Sequence, residues 1–271
     1  MPSPLLRECA VFAWKQVRSC VFAGAFFAVL VLSNRVHIPG LARYDFILVC
    51  SLAIQVALVA TRIETWDEVK VLCVFHLLGL ALELFKTRAS IGSWSYPEPG
   101  VAKIQGVPLY SGFMYAAVAS YMCQAWRVLR LELTAYPDPR ASLLLALAIY
   151  ANFFTHHYIF DFRWPLTVAV IWQFRHTWLG FTVTGVRRRM PLVLSFVLIG
   201  FFIWVAENAA TFHGAWAYPD QRMGWQGVSL GKIHCWSLLV ILSFVLVADL
   251  KWLKARQPGL ALAPAALSPP K

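Results

Sequence analysis

The sequence predicts an all-α membrane protein, a polytopic bundle of about eight transmembrane helices arranged as two four-helix halves in a parallel repeat. Three observations predict this fold. The 271 residues are 59% hydrophobic and have a mean hydropathy of +0.62, and both values are far above those of a typical soluble domain. Apolar runs long enough to cross a bilayer recur along the chain. One motif also occurs twice, half a chain apart.

Each apolar run is interpreted as a helix, because lipid offers no partner to unpaired backbone groups. The basic residues Arg7, Lys15 and Arg18 precede the first run, and a signal peptide also has a positively charged segment before its apolar one. No clear small-residue cleavage site comes after Leu32, so we interpret the run as an uncleaved helix. The eight runs cover residues 19–33, 44–61, 69–86, 109–129, 141–158, 164–183, 190–208 and 232–252.

The two repeats are predicted to cover residues 1–130 and 131–257. Within the first, residues 1–18 are predicted to form an interfacial helix. Its lipid-facing side chains would be Leu5, Leu6, Phe12 and Trp14. The Ala-, Leu- and Pro-rich tail, 258–271, is predicted to be disordered.

The formal net charge of +11 indicates membrane topology here, not nucleic-acid binding. With the N-terminus inside, fifteen Lys and Arg residues fall on the inner segments and eight on the outer ones, and Arg187–Arg189 is the densest inner cluster. This is the positive-inside bias of a multi-pass protein. We therefore expect a multi-pass membrane protein with both termini in the cytoplasm.

The duplicated motif reads E-x3-T, then G-x-W-x-Y-P, then G-V-x-L. We call residues 83–109 the first motif and residues 207–230 the second motif. Four predicted crossings separate them, so both face the outer side and the repeat is parallel. The matched pairs are Glu83/Glu207, Thr87/Thr211, Gly92/Gly214, Trp94/Trp216, Tyr96/Tyr218, Pro97/Pro219, Gly106/Gly227, Val107/Val228 and Leu109/Leu230.

Glu83 and Glu207 are the leading candidates for chemistry. Each ends an apolar helix, where a buried carboxyl can donate or accept a proton. The alternative is structural, with Glu83 paired to Lys86 and Glu207 at the membrane edge. Their equivalent positions in two motifs favour a functional pair. His157 and Asp161, one helical turn apart on the same predicted side, could assist them.

The remaining candidates would line a binding site. Interfacial aromatic belts are common in membrane proteins, so the motif aromatics are either a belt or a pocket for an apolar or cationic group. Arg175 falls midway through the sixth run, where it should face the interior and meet an acid or an anionic ligand, with snorkelling as the alternative. The candidate binding residues are Trp94, Tyr96, Trp216, Tyr218, Asn208, His76 and Arg175.

No cofactor is indicated, because the sequence has no phosphate loop and no dinucleotide fingerprint. His156, His157, Asp161 and His213 have ligand chemistry suited to zinc or iron. However, no H-x-x-x-H or H-E-x-x-H spacing occurs, so no metal site is predicted. The six cysteines are scattered and are interpreted as small apolar residues.

The sequence contains several longer characteristic strings, among them Gly92-Ser93-Trp94-Ser95-Tyr96-Pro97-Glu98, Asn152-Phe153-Phe154-Thr155-His156-His157 and Trp204-Val205-Ala206-Glu207-Asn208. These strings resemble the bacterial integral membrane family catalogued as domain of unknown function 817. The resemblance covers about residues 20–255 and implies a multi-pass protein of the bacterial plasma membrane. Segments 83–108 and 207–230 also distantly resemble the lycopene cyclase domain and the carotenoid hydratases, although the downstream Pro-x-Glu-Glu of the cyclase pattern is absent.

The leading hypothesis is a membrane-embedded enzyme that uses the paired glutamates for acid–base chemistry on a lipid-soluble substrate, with an isoprenoid as the class that the second resemblance implies. One alternative is a small-solute or ion transporter built from parallel repeats. Another is a non-catalytic membrane assembly protein. The expected partners are the lipid bilayer and a lipid-soluble or small ligand.

Overall fold

The computed structural model of the protein describes residues 4–221 and 223–255. In these ranges the chain forms nine α-helices, five short strands and a 3-10 turn at Pro219–Gln221. The helices are α1 (Pro4–Ser19), α2 (Val21–Leu32), α3 (Arg43–Ala60), α4 (Trp66–Lys86), α5 (Ser111–Val128), α6 (Pro139–Thr155), α7 (Arg163–Phe174), α8 (Leu192–Phe212) and α9 (Gly231–Ala255). The strands are β1 (Lys103–Ile104), β2 (Val107–Pro108), β3 (Glu132–Thr134), β4 (Trp178–Val183) and β5 (Val186–Pro191). The mainly helical class is confirmed, and the tail predicted to be disordered lies outside the described residues.

Three helices of the described chain are long and apolar enough to cross a membrane. They are Arg43–Ala60, Leu192–Phe212 and Gly231–Asp249. Leu5–Ser19 and Val21–Leu32 make a fourth if the two helices count as one span. These helices are consistent with a membrane protein, whereas the prediction of eight spans stays a prediction.

Local sequence determines where α4 and α6 begin. At α4, Thr65 and Glu68 form a capping box, in which each side chain accepts a hydrogen bond from the other's backbone amide. At α6, the Asp138 carboxylate accepts from two amides of the first turn, and Pro139 occupies that turn as well. Both caps satisfy amides that have no intrahelical partner.

The predicted helix over 164–183 is wrong beyond Phe174. There α7 ends, and residues 178–183 form β4, the central strand of an antiparallel sheet with the order β3-β4-β5. Thr184 and Gly185 connect β4 to β5 with φ angles of 47° and 81°. Two consecutive left-handed residues favour a tight hairpin turn. The β-branched residues before it, Thr182 and Val183, favour a strand.

The predicted N-terminal helix exists as α1, but only part of its predicted lipid face is exposed. The Phe12 ring packs against Phe181 of β4 at 5.5 Å, and Lys15 Nζ donates to the Thr182 carbonyl at 2.7 Å. Leu5, Leu6 and Trp14 are more than half exposed. Phe12 is therefore half-buried, because the sheet provides it with an aromatic partner, and the interfacial position of the helix stays a prediction.

The described chain divides into two compact units that interleave along the sequence. The hairpin unit comprises the described residues of Met1–Cys20, Met122–Phe201 and Ile233–Lys271. The motif unit comprises Val21–Tyr121 and the described residues of Phe202–Lys232. Both motifs belong to the motif unit. These units are defined by contacts in the structure, whereas the predicted boundary at residue 130 is based on the duplicated sequence motif. That boundary stays a prediction.

An aromatic cluster forms the core of the motif unit. The Tyr44 ring lies 6.1 Å from Tyr96 and 5.2 Å from Tyr110, and Tyr96 meets Tyr110 edge-on. Phe22 and Phe26 of α2 pack into the same cluster. The tyrosine of the first motif is therefore a core residue, held among large rings that contribute most of the local apolar burial.

Candidate functional site

Glu83 lies in the last turn of α4 and is 2% exposed. One carboxylate oxygen, Oε2, accepts from Trp94 Nε1 at 2.6 Å and from the Tyr96 hydroxyl at 2.8 Å. The other, Oε1, accepts from the Tyr115 hydroxyl at 2.9 Å. Two of the three donors come from the first motif itself. A buried carboxylate held in this way has a fixed position and orientation.

Glu207 of α8 is 3% exposed and has the equivalent tyrosine as its partner. The Tyr218 hydroxyl donates to Glu207 Oε1 at 2.5 Å. Burial first, and then the neighbouring glutamate, raises the pKa of both Tyr96 and Tyr218 well above the usual value. Both phenols therefore stay protonated and act as donors to the carboxylates.

The two motifs pair with each other at equivalent positions. The Ser95 amide donates to the Ala217 carbonyl at 2.9 Å, and the Ala217 amide donates back to the Ser95 carbonyl at 3.0 Å. Beside this bridge, Trp94 of one motif meets Tyr218 of the other edge-on, with 6.1 Å between ring centroids. Trp94 is hydrogen-bonded to Glu83 and Tyr218 to Glu207, so these two rings in contact link the two carboxylates into one cluster of side chains.

The backbone of the two motifs also matches. Thr87 and Thr211 each donate their hydroxyl to the carbonyl of their motif's glutamate, at 2.8 and 3.0 Å. Gly92 and Gly214 both adopt left-handed φ angles, 58° and 69°. The match does not extend to the end of the motifs. Gly106 has a left-handed φ angle of 84°, which its counterpart Gly227 does not share, and Leu109 is half-buried whereas Leu230 is 69% exposed.

Substituting either left-handed glycine with alanine is expected to lower the free energy of unfolding by about 1–2 kcal/mol, because a Cβ is strained at these φ angles. Nothing lies within 4 Å of a Cβ at Gly92, so the effect there is conformational strain alone. Gly24 in α2 is the matched control. It also has open space, and Gly24→Ala should be neutral or stabilising. Thermal unfolding in one detergent compares the three variants, and equal effects at Gly24 and Gly92 would contradict the prediction.

Three of the four aromatic residues predicted to line the site are buried, with Tyr96 7%, Trp216 8% and Tyr218 9% exposed, and Trp94 is half-buried. A lipid-facing belt would leave such rings at the surface. These three rings therefore belong to the interior of the motif unit.

Lys232 is a site residue that the sequence analysis missed. Its Nζ lies 4.5 Å from the centroid of the Tyr218 ring and 5.7 Å from that of Trp94. Such cation–π contacts favour a fixed ammonium over the two rings. Lys232 follows the second motif directly, yet nothing in its sequence neighbourhood predicts the contact.

Arg43 is a second residue that the sequence analysis did not select. Its guanidinium, 12% exposed, forms an ion pair with Glu98 just after the first motif's Tyr-Pro. It also donates to Ser33 Oγ at 2.9 Å and to the carbonyls of Leu30, His213 and Gly214. Arg43 thus connects the end of α2 to both motifs. Arg43 also lines a cavity of about 290 Å³, together with Ser33, Asn34, Val36, His37, Ile38, Leu41 and Glu98.

Asp45 anchors the segment that follows the Tyr-Pro of the first motif. Its carboxylate is buried and accepts from the amides of Val101 and Ala102, both at 2.8 Å. The sequence alone suggested no role for Asp45. Its contacts indicate a structural one.

Two of the predicted binding residues of the motif unit have structural contacts. The Asn208 amide donates to the Trp204 carbonyl at 2.9 Å and its oxygen accepts from the Val228 amide at 2.8 Å. The His76 ring packs edge-on against Phe113 at 4.7 Å. Asn208 therefore holds the second motif in place, and His76 lies at the contact between α4 and α5.

The other predicted residues belong to the hairpin unit. Asp161 accepts from Asn152 and pairs with Arg163 at 3.0 Å, and His157 is exposed. Arg175 is exposed at the end of α7, with its guanidinium 4.6 Å from the Trp172 ring centroid. The expected interior position of Arg175 is wrong, because the helix in which it would have been central ends at Phe174.

Comparison with known proteins gives two matches. The family model described as "Protein of unknown function (DUF817)" matches residues 8–244. The uncharacterized protein YoaT of Bacillus subtilis (strain 168) is 54% identical over 253 residues, which cover 93% of this chain and 95% of that protein. No solved structure matches the chain. These matches confirm the first resemblance that the motifs indicated.

Proposed function

The chain belongs to the DUF817 family of proteins of unknown function, and on that premise we propose that it is a membrane-embedded enzyme acting on a lipid-soluble substrate. Glu83 and Glu207 exchange protons with that substrate. One observation carries the proposal. Two buried glutamates, each hydrogen-bonded by the tyrosine of its own motif, are linked through the contact between Trp94 and Tyr218.

The chemistry is a paired proton transfer. One carboxyl delivers a proton to a carbon of the substrate, and the other carboxylate removes a proton from a neighbouring carbon. The composition of the substrate is unchanged, so this isomerisation needs no cofactor. An isoprenoid double bond is a suitable target, because it is apolar enough to reach a bilayer-embedded site.

The tyrosines and tryptophans have a positioning role in this proposal. Tyr96 and Tyr218 fix the two carboxylates, and their raised pKa keeps them neutral during turnover. Trp94 and Trp216 provide apolar walls beside them. Lys232 lies over two of these rings and places a positive charge beside the aromatic pair that links the motifs.

The proposed setting is the bacterial plasma membrane. Eight spans, with both termini in the cytoplasm, would put both motifs on the outer side. Two parallel repeats, 1–130 and 131–257, would account for the paired motifs. The three helices that can span a membrane and the equivalent contacts of the motifs support this arrangement.

The test replaces Glu83, Glu207 or both with glutamine and compares lipid extracts of expressing cells by mass spectrometry. Each single variant should lose the product as completely as the double variant does, because residues that act as a unit are not additive. Glu64→Gln is the matched control. Glu64 is also a buried glutamate of the motif unit, bonded to Ser120 and Gln55, but it lies outside both motifs. Lipid extracts that do not change in folded Glu83 and Glu207 variants would contradict the proposal.

A transporter is the second candidate, and Glu64 is the observation that favours it. Glu64 lies just before α4 and Glu83 lies in its last turn, so the motif unit has a buried carboxylate at each end of one helix. A transported proton or cation could use both carboxylates. In proteoliposomes a transporter would show substrate-dependent flux that Glu64→Gln also reduces, whereas the enzyme should tolerate Glu64→Gln.

A further inference from the structure

The three consecutive arginines of β5 have different partners. Arg187 forms an ion pair with Glu132 of β3. Arg188 forms a bidentate ion pair with Glu8 of α1, with both hydrogen bonds at 2.7 Å. Arg189 has no acidic partner among the side chains that the structure describes, and its guanidinium lies 4.9 Å from the centroid of the Trp178 ring. One arginine of the three therefore keeps its charge available.

Arg175 repeats the arrangement of Arg189. It lies over the Trp172 ring and donates to the Trp172 carbonyl. Both arginines and both tryptophans belong to the hairpin unit, and all four are exposed. A guanidinium stacked on an indole loses little freedom on binding, and its edge still presents N–H donors to an anion.

The exposed side chains of α7 indicate what surrounds these pairs. Trp164, Val168, Ile171 and Trp172 are each at least half exposed, and their spacing puts them on one face of the helix. A soluble protein rarely exposes such a stripe, so its natural environment is lipid. The stripe ends at Arg175, and tryptophans at the end of a lipid-facing stripe mark headgroup depth.

We propose that the Trp172–Arg175 and Trp178–Arg189 pairs form a binding site for the phosphate of an anionic phospholipid. Guanidinium groups bind phosphate with charge-assisted hydrogen bonds. Two cations without acidic partners favour a headgroup with net negative charge over a zwitterionic one. The apolar stripe beside them suits acyl chains, which neither free phosphate nor an acidic protein would use. The proposal is independent of the chemistry of Glu83 and Glu207.

The experiment measures lipid binding to the purified full-length protein by native mass spectrometry in neutral detergent. Phosphatidylglycerol and phosphatidylcholine with identical acyl chains are titrated separately. The wild-type protein should prefer phosphatidylglycerol, and the double variant Arg175→Gln/Arg189→Gln should lose about thirtyfold of that preference, since each of the two basic residues contributes about 1 kcal/mol near a charged surface and every 1.4 kcal/mol is tenfold. The loss of preference in Arg189→Gln alone should be about half of that in the double variant when both are expressed as logarithms.

Arg187→Gln is the matched control, because Arg187 is in the same strand but already pairs with Glu132. It should keep the preference of the wild-type protein. An unchanged preference in the double variant, or an equal loss in Arg187→Gln, would overturn the proposal. Inorganic phosphate is added as a competitor at the concentrations used for the lipid. Displacement by it would show a site for free phosphate and would overturn the lipid assignment.

Discussion

Replacing Glu83 with leucine is expected to lower the free energy of unfolding by at least about 3 kcal/mol. Leucine leaves Trp94, Tyr96 and Tyr115 without their acceptor in the interior, and each unsatisfied buried donor costs roughly 1–3 kcal/mol. Unfolding of the purified protein in detergent or bicelles, followed by a site-specific probe, measures the change.

Glu83→Gln is the matched control and should cost less than about 1 kcal/mol. Its amide oxygen can still accept from Trp94 and Tyr96, and its NH2 group can donate to Tyr115, whose hydroxyl also has acceptor lone pairs. Glu83→Leu therefore tests the contribution of the hydrogen bonds to stability, whereas Glu83→Gln removes the titratable group with little loss of stability. If Glu83→Leu were as stable as the wild-type protein, the three hydrogen bonds would not exist in the membrane protein.

Replacing Arg43 with methionine is expected to destabilise the motif unit by about 2 kcal/mol, because the Arg43 side chain is 12% exposed and its loss leaves the half-buried Glu98 carboxylate and several backbone carbonyls without their donor. The change removes the ion pair with Glu98 and the donors to the Leu30, His213 and Gly214 carbonyls. Protease cleavage near residue 98 should also increase, since that segment would lose an anchor. Thermal unfolding and limited proteolysis of the same preparation measure both effects.

Arg35→Met is the control for this prediction, because Arg35 is exposed in the same connection between α2 and α3. Surface substitutions of this kind stay within about 0.5 kcal/mol. Equal effects of Arg43→Met and Arg35→Met would contradict the role of Arg43 as a connecting residue. Arg43→Lys should be intermediate, because an ammonium keeps the charge but has fewer directed donors.

The sequence was most informative where a pattern repeats. Two glutamates followed at similar distances by Tyr-Pro predicted equivalent structures, and Tyr96 and Tyr218 do bind their own glutamates. The spacing from glutamate to tyrosine differs by two residues between the motifs. Each motif nevertheless has a left-handed glycine two residues before its tryptophan. The repeat could not predict that Ser95 and Ala217 pair with each other, because pairing between distant segments leaves no trace in local periodicity.

The sequence was least informative where an apolar run changes its secondary structure. Residues 164–183 form one hydrophobic stretch, so hydropathy alone predicted a helix through Arg175. The Thr184-Gly185 turn after it is a hairpin signal that could have been noticed. Lys232 and Arg43 were missed for another reason. Their importance comes from tertiary contacts with both motifs, and a single cation beside an apolar helix carries no such information.

Everything proposed for Glu83 and Glu207 depends on the contact between the two motifs, and an engineered disulfide tests it most directly. Ser95→Cys and Ala217→Cys, introduced after replacement of the six native cysteines, lie opposite each other in an antiparallel bridge. Opposed residues in such a bridge are about 5.5 Å apart at Cα, within the range that a disulfide spans. We predict rapid cross-linking under mild oxidation, and little for the displaced pair Ser93→Cys/Ala217→Cys. Failure of the first pair to cross-link, with both single cysteines reactive, would contradict the account.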